Sequence, residues 1–239
     1  MGSHALLSAS SSKRWLNCPP SARLCAEVED TTSEYAKEGT DAHTLCEYKV
    51  KKMLGIKMQD PTNTLAYYNE EMERCAEEYA SYILEIIEEA KQYCKDPLVL
   101  IEQRLDFSRY VPDGFGTGDC LIIADKTLYI IDFKYGKGVE VDSEDNPQMM
   151  CYAVGALELF NSLYDIENVC MVIYQPRIEN ISVSSMNVTE LYNWAENTLK
   201  PIAELAYEGK GEFKAGDHCQ FCKIKATCRK RAEYNMELA

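Results

Sequence analysis

Gly118-Asp119-Cys120-Leu121-Ile122-Ile123-Ala124, then Asp125-Lys126, then Thr127-Leu128-Tyr129-Ile130-Ile131-Asp132-Phe133-Lys134 is the stretch on which the fold turns. Two apolar runs flank a short polar break, the pattern of two strands (119–124 and 127–135) joined by a tight turn near Asp125-Lys126. Residues i and i+2 of a strand share a face, so Asp132 and Lys134 point to one side. If the hairpin pairs Asp119 near Asp132, three functional groups converge. An Asp-x-Lys tripeptide is common and by itself usually a solvated strand face. Here Ile130-Ile131 and Phe133 mark a buried strand, and an acid and a lysine aimed inward from it need a reason, because burying either alone is costly. Two carboxylates suit a hard divalent cation, Mg²⁺ or Mn²⁺. Such an ion binds phosphate and acidifies water, while a lysine beside it orients that water or stabilises developing charge.

Working outward, residues 98–107 are β-like and 114–118 form a glycine-rich flexible approach. Upstream, Ser8 to Ser12 is a polar lead-in, 13–28 reads as short helices broken at Pro19-Pro20, and 33–54 and 65–94 read as long helices. Tyr79, Ile83, Ile86 and Ile87 form the apolar stripe of the second. Downstream, 136–146 is an acidic loop, Pro147 suits the first turn of a helix running to about residue 160, 169–174 and 181–186 are strands, and 188–207 is a helix. A cysteine-rich basic tail follows. This order predicts an α/β core with helical embellishment, in one domain of 239 residues: a helical region (8–94), an α/β core (97–187) and a helix plus tail (188–239).

The hydrophobic content of 46% is enough for a well-buried core. No apolar run approaches the roughly 18 residues that cross a bilayer, and no signal-peptide pattern is visible. The chain has 11 cysteines, an odd number without a secretion signal, which points to a reducing compartment, the cytoplasm, rather than a disulfide framework. A net charge of −14 works against binding a polyanion. The charge is uneven, however. Eight acids lie between Glu70 and Glu89, whereas Lys210 to Arg231 holds seven basic residues and two acids, and Lys13, Arg14 and Arg23 form a further basic group. The expectation is a localised binding face.

Two weaker signals join the hairpin. Gln148 and Tyr152, four apart, share a helix face, and His43 lies on the 33–54 helix after Gly39. Each alone is ordinary. In the order His43, Asp119, Asp132-Phe133-Lys134, Gln148…Tyr152 they resemble the motifs of the RecB-like branch of PD-(D/E)XK nucleases, over roughly residues 18–228. The resemblance implies a restriction-endonuclease-like mixed sheet flanked by helices. It also implies metal ligation by His43, Asp119, Asp132 and the Phe133 carbonyl, a catalytic Lys134, and Gln148 and Tyr152 positioning the lysine or DNA. The implied activity is Mg²⁺- or Mn²⁺-dependent exonuclease action on single-stranded DNA ends in recombination or repair. The implied setting is a bacterial host cell, with a phage or prophage gene, a recombination partner protein or a homo-oligomer. Glu47 is as well explained by a solvated helix as by support of His43, and Glu102 is a weaker ligand candidate still. A non-catalytic DNA-binding module or a zinc-stapled interaction protein with this fold is the alternative.

In the tail, Cys219, Cys222 and Cys228 follow C-x₂-C-x₅-C spacing, and three cysteines require a fourth ligand for either Zn²⁺ or an iron–sulfur cubane. Spacing alone rates the two metals equally, and leaves His218 or Cys25 as substitutes for Cys18. The RecB-like enzymes with a cluster split their cysteines, one before the core and three after it. That likeness implies a [4Fe–4S] cluster on Cys18, Cys219, Cys222 and Cys228. It would gather Lys13, Arg14, Lys223, Lys225 and Arg229 as a DNA-binding group. Cys25, Cys46, Cys75, Cys94, Cys120 and Cys151 read as packing residues, as does Cys170.

Overall fold

In the computed structural model, which describes residues 5–29 and 33–238, the hairpin forms as expected. Residues 1–4, on which no chemistry was expected, lie outside the described residues. Strands β2 (Phe115–Ala124) and β3 (Thr127–Phe133) are antiparallel, with Cys120 opposite Ile131 and Ala124 opposite Thr127. The pairing ends at Cys120 and Ile131, one residue short of Asp119 and Asp132. The turn places Asp125 at φ +53°, a conformation that aspartate tolerates better than most residues.

Strand β1 (Leu98–Asp106) pairs antiparallel with β2, β4 (Asn168–Gln175) parallel with β3, and β5 (Asn180–Asn187) antiparallel with β4. The result is a five-stranded mixed sheet in the order β1-β2-β3-β4-β5. The parallel β3–β4 pair needs a crossover, and helix α5 (Pro147–Phe160) supplies it. Pro147 opens that helix, and the Asn146 side chain accepts hydrogen bonds from the amides of Gln148 and Met149.

Both faces of the sheet are covered. Leu121, Ile123, Leu128 and Ile130 pack toward α5, in a core that also holds Trp15 of α1 (Ser12–Asn17) and Ala22 of α2 (Ser21–Ala26). Cys120, Ile122, Ile131 and Phe133 pack toward α3 (Glu34–Met53) and α4 (Glu70–Ala90). Strands buried on both faces read as continuous apolar runs, which is why Leu121 to Ala124 shows no polar alternation.

Four expectations shift. The flexible approach at 114–118 is part of β2. Gly116 and Gly118 are there for space: a Cβ on Gly116 would lie 2.6 Å from Tyr152 Cε1, and one on Gly118 2.7 Å from Leu121 Cδ1. Helix α4 spans 70–90, because the Asn69 side chain caps the Met72 amide and a 3₁₀ turn (Thr62–Thr64) occupies the preceding segment. The 188–207 helix is divided into α6 (Val188–Trp194), a π-helical turn (Ala195–Leu199) and α7 (Lys200–Glu208). Pro201 lacks the amide that would continue the ladder. The tail ends in an unanticipated helix, α8 (Arg229–Glu237). No helix among the described residues is long and apolar enough to cross a membrane.

Candidate functional site

Helix α3 lies against the sheet face opposite α5, so the end of the β2–β3 hairpin is reached by side chains from both layers. From α3, His43 Nδ1 lies 3.3 Å from Asp119 Oδ1, and its ring meets Phe133 edge-on at 5.4 Å between centroids. From β1, Glu102 joins them: one ligand atom each from His43, Glu102 and Asp119 lie within 4.8 Å of one another. Glu102 stands between the pairs Ile101–Cys120 and Gln103–Gly118, across from Asp119, at φ +54°. A non-glycine residue at such a φ inside a strand is strained, and strain of this kind is characteristic of functional sites.

Asp132, 3% exposed, occupies the other side of the site. Its Oδ1 accepts a hydrogen bond from Gln148 Nε2 at 3.0 Å. Its buried Oδ2 forms an ion pair with Lys134, 2.9 Å from the ammonium nitrogen. Lys134 Nζ donates to Gln148 Oε1 at 3.1 Å, and Gln148 Nε2 donates to the Tyr152 hydroxyl at 3.3 Å. The Gln148 amide is thus oriented by a donor and an acceptor at once and locks the lysine beside its aspartate.

The electrostatics follow from crowding acids around one imidazole and one ammonium. Burial opposes charge on His43, but the Asp119 carboxylate and then Asp132 outweigh it and carry the imidazole up to about 9. Burial, then the Asp119 charge, push Glu102 up to about 7. Burial opposes ionisation of Asp119 too, yet His43, the Phe133 amide and Lys134 hold it below the ordinary carboxylate range. Burial is the main influence raising Asp132, with Lys134 opposing. For Lys134, Asp132 outweighs burial and raises the ammonium. Protons therefore occupy places that a divalent cation would take over on binding. The donor set fits such an ion: one imidazole nitrogen and two carboxylates, their ligand atoms within 4.8 Å of one another.

The structure brings together His43, Asp119, Asp132, Lys134, Gln148 and Tyr152, all singled out from sequence. Two of the expected ligands stand differently from Glu102. Glu102, rated below the others, is in the tight triad, whereas Asp132 is engaged by Lys134 and Gln148. Phe133 contributes its amide, which donates to Asp119 Oδ2 at 2.7 Å, and its ring. Glu47 pairs with Lys51 one turn along α3.

The second site lies at the chain ends. Cys18 follows α1, Cys219 closes a 3₁₀ turn (Asp217–Cys219), Cys222 follows it, and Cys228 caps α8. All four line one narrow cavity. Among the described residues no three of their sulfurs fall within 4.8 Å of one another, wider than the ~3.8 Å of thiolates sharing one zinc at about 2.3 Å. Cys25, expected as packing, is buried but sits with its Sγ 3.7 Å from Cys222 Sγ. His218 also lines the cavity, its Nε2 2.8 Å from the Lys214 carbonyl oxygen. Cys46, Cys75, Cys120 and Cys151 are buried as expected. Cys94 and Cys170 are only partly buried.

The expected DNA-binding cations are largely engaged within the protein. Arg14 donates to the Ser21 carbonyl at 2.7 Å and its hydroxyl at 3.0 Å, Lys223 lies 3.5 Å from the Val28 carbonyl, and Lys225 donates to the Gln220 carbonyl at 2.8 Å. Arg229, almost fully exposed, pairs with Glu233 at 2.9 Å. The structure gives Lys13 no such bond among those it shows.

Residues 4–239 match the model of a family described as "Protein of unknown function (DUF2800)". A solved structure titled "Crystal structure of SSO0001" is 16% identical to this chain, with 79% of this chain and 95% of that one covered, at a TM-score of 0.34.

Proposed function

The chain belongs to the DUF2800 family, and from the geometry of its site we propose that it is a metal-dependent nuclease that hydrolyses DNA phosphodiester bonds, acting on single-stranded ends. The observation that carries this reading is one cluster holding the His43–Glu102–Asp119 triad, the Asp132–Lys134 pair and the Gln148 bridge. The motif order resembling RecB-like PD-(D/E)XK enzymes supports it, as does a mixed sheet with the hairpin at its centre.

His43, Glu102 and Asp119 would hold Mn²⁺ or Mg²⁺, with Asp132 held beside Lys134 by its ion pair. A divalent cation there supplies Lewis acidity toward a phosphate oxygen and toward water. Lys134 brings a fixed positive charge to the side of the site where phosphate oxygens gain negative charge during in-line displacement. Gln148 keeps that ammonium from swinging into solvent. Burial holds the Tyr152 hydroxyl protonated, and it accepts from Gln148, so it supports the amide rather than serving as a base. Cys18, Cys219, Cys222 and Cys228 would hold a [4Fe–4S] cluster that joins the chain ends. His218 in the same cavity keeps Zn²⁺ as the alternative there.

The test is degradation of end-labelled single-stranded DNA by purified protein with Mn²⁺ or Mg²⁺, against EDTA and a Lys134→Ala variant. Cation-dependent loss of label that Lys134→Ala abolishes is the expected result. Wild-type protein that binds Mn²⁺ stoichiometrically yet cuts no DNA would instead favour a non-catalytic binding module.

A further inference from the structure

One cavity remains unexplained by this reading. It is a cleft of about 430 Å³ between α1, α7, the 211–215 segment and α8, within the range of about 300–1,000 Å³ typical of small-ligand sites. Leu16, Pro19 and Leu205 line it, as do Phe213, Tyr234, Lys214 and Lys230. Phe213 is 47% exposed and Tyr234 36%, and the Lys230 side chain is 50% exposed. Gly211, at φ +100°, crosses Pro19 so closely that a Cβ would lie 3.3 Å from the proline ring, which fixes the run into Phe213 against α1. Phe213, Lys214 and Lys230 also line the cysteine cavity, so cleft and cavity share a wall.

We propose that this cleft seats an unpaired base of single-stranded nucleic acid, with Phe213 and Tyr234 as stacking faces and Lys214 and Lys230 meeting the flanking phosphates. The proposal deepens the nuclease reading and rests on it for the class of polymer. The exposed rings and the basic surroundings together select the occupant. In a chain of net charge −14, the 210–231 segment is a basic island, and the aromatics stand within it or just beyond it. Lys225 and Arg231, on the adjoining wall, donate to the carbonyls of Gln220 and Lys225, with no acidic partner among the described residues. Glu212 and Glu237 also line the cleft, and Glu233 lies 3.5 Å from Lys230. The cleft itself is therefore close to neutral, and ring stacking rather than charge sets its affinity. Every base has a π face, so such a seat is indifferent to sequence but requires an unpaired strand. Phe221, 77% exposed between Cys219 and Cys222, offers a further face on the same tail.

The experiment is anisotropy of a labelled oligothymidylate with the full chain, its cysteine site loaded and divalent cation omitted to prevent cleavage, beside a duplex of the same length. Phe213→Leu and Tyr234→Leu are each expected to weaken single-strand binding about tenfold and to leave duplex binding unchanged. Phe213→Trp and Tyr234→Phe, which keep a π face, are expected to bind as wild type. Iron and zinc content, measured on every variant, shows whether the neighbouring cavity is intact. Leucine variants with full metal content that bind single strands normally would overturn the proposal, as would equal losses on single strand and duplex. A wild-type dimer that Tyr234→Leu dissociates, with oligonucleotide binding untouched, would overturn it and assign the cleft to a second copy. If wild type cuts single strands while the leucine variants bind them normally, the base seat alone fails. If wild type neither binds nor cuts DNA, the nuclease reading fails as well.

Discussion

Glu102 holds a left-handed backbone that costs a non-glycine residue about 1–2 kcal/mol, and its carboxylate lies within reach of His43 and Asp119. Glu102→Gln keeps the shape and removes the charge. We expect it to weaken Mn²⁺ binding at least tenfold by titration calorimetry, and Asp119→Asn to do the same. Asp132→Asn should weaken it less, because Asp132 is already engaged by Lys134 and Gln148. The reverse ranking would return Asp132 to the ligand set in place of Glu102. Lys134→Ala should leave Mn²⁺ affinity unchanged or tighter while abolishing cleavage, since it removes a cation from beside the ion and contributes no ligand.

Helix α5 is the element that aims the site from one layer. Its first turn carries Gln148, whose amide is capped by Asn146. Asn146→Ala should cost about 1 kcal/mol in urea unfolding and slow cleavage by more than that loss of stability implies, because the Gln148 bridge loosens in the folded state. One turn on, Tyr152 packs against Gly116 of β2. A methyl at that position meets a buried ring, so Gly116→Ala should destabilise by roughly 1–3 kcal/mol. An unchanged unfolding midpoint would mean that α5 is less tightly seated on β2 than the 2.6 Å approach requires.

At the scale of the whole molecule, the cysteine cavity draws the beginning and end of the chain together, since Cys18 comes from the N-terminal helices and the other three from the tail. Arg23 reinforces the junction by donating to the Tyr207 carbonyl at 2.5 Å and lying over the Tyr207 ring. Metal binding there would contribute to folding of these parts, whereas the sheet has its own two cores. Cys219→Ser should therefore remove bound metal and speed hydrogen exchange in 12–26 and 210–238, with β2 and β3 still protected. Anaerobically purified wild type should show a broad shoulder near roughly 400 nm and about four irons per chain. A colourless protein with one zinc would make the site structural zinc.

The hairpin was legible from residue types alone, because uninterrupted β-branched and apolar runs on either side of Asp125-Lys126 have few other low-energy arrangements, and the period of two then put Asp132 and Lys134 on one face. The α5 start was legible too, through Pro147. The strand character of Gly116 was not, since a glycine required by the Tyr152 ring looks the same in sequence as one that loosens a loop. Nor could the sequence place Glu102: its carboxylate reaches Asp119 only because β1 pairs with β2 in this register and the backbone turns left-handed at that residue. His43 likewise meets Asp119 only when α3 lies on its face of the sheet. Local propensity and periodicity act within a few residues and decide which elements form. The separations among His43, Glu102 and Asp119, which come from three elements, depend on how the layers pack, and only the tertiary structure decided them.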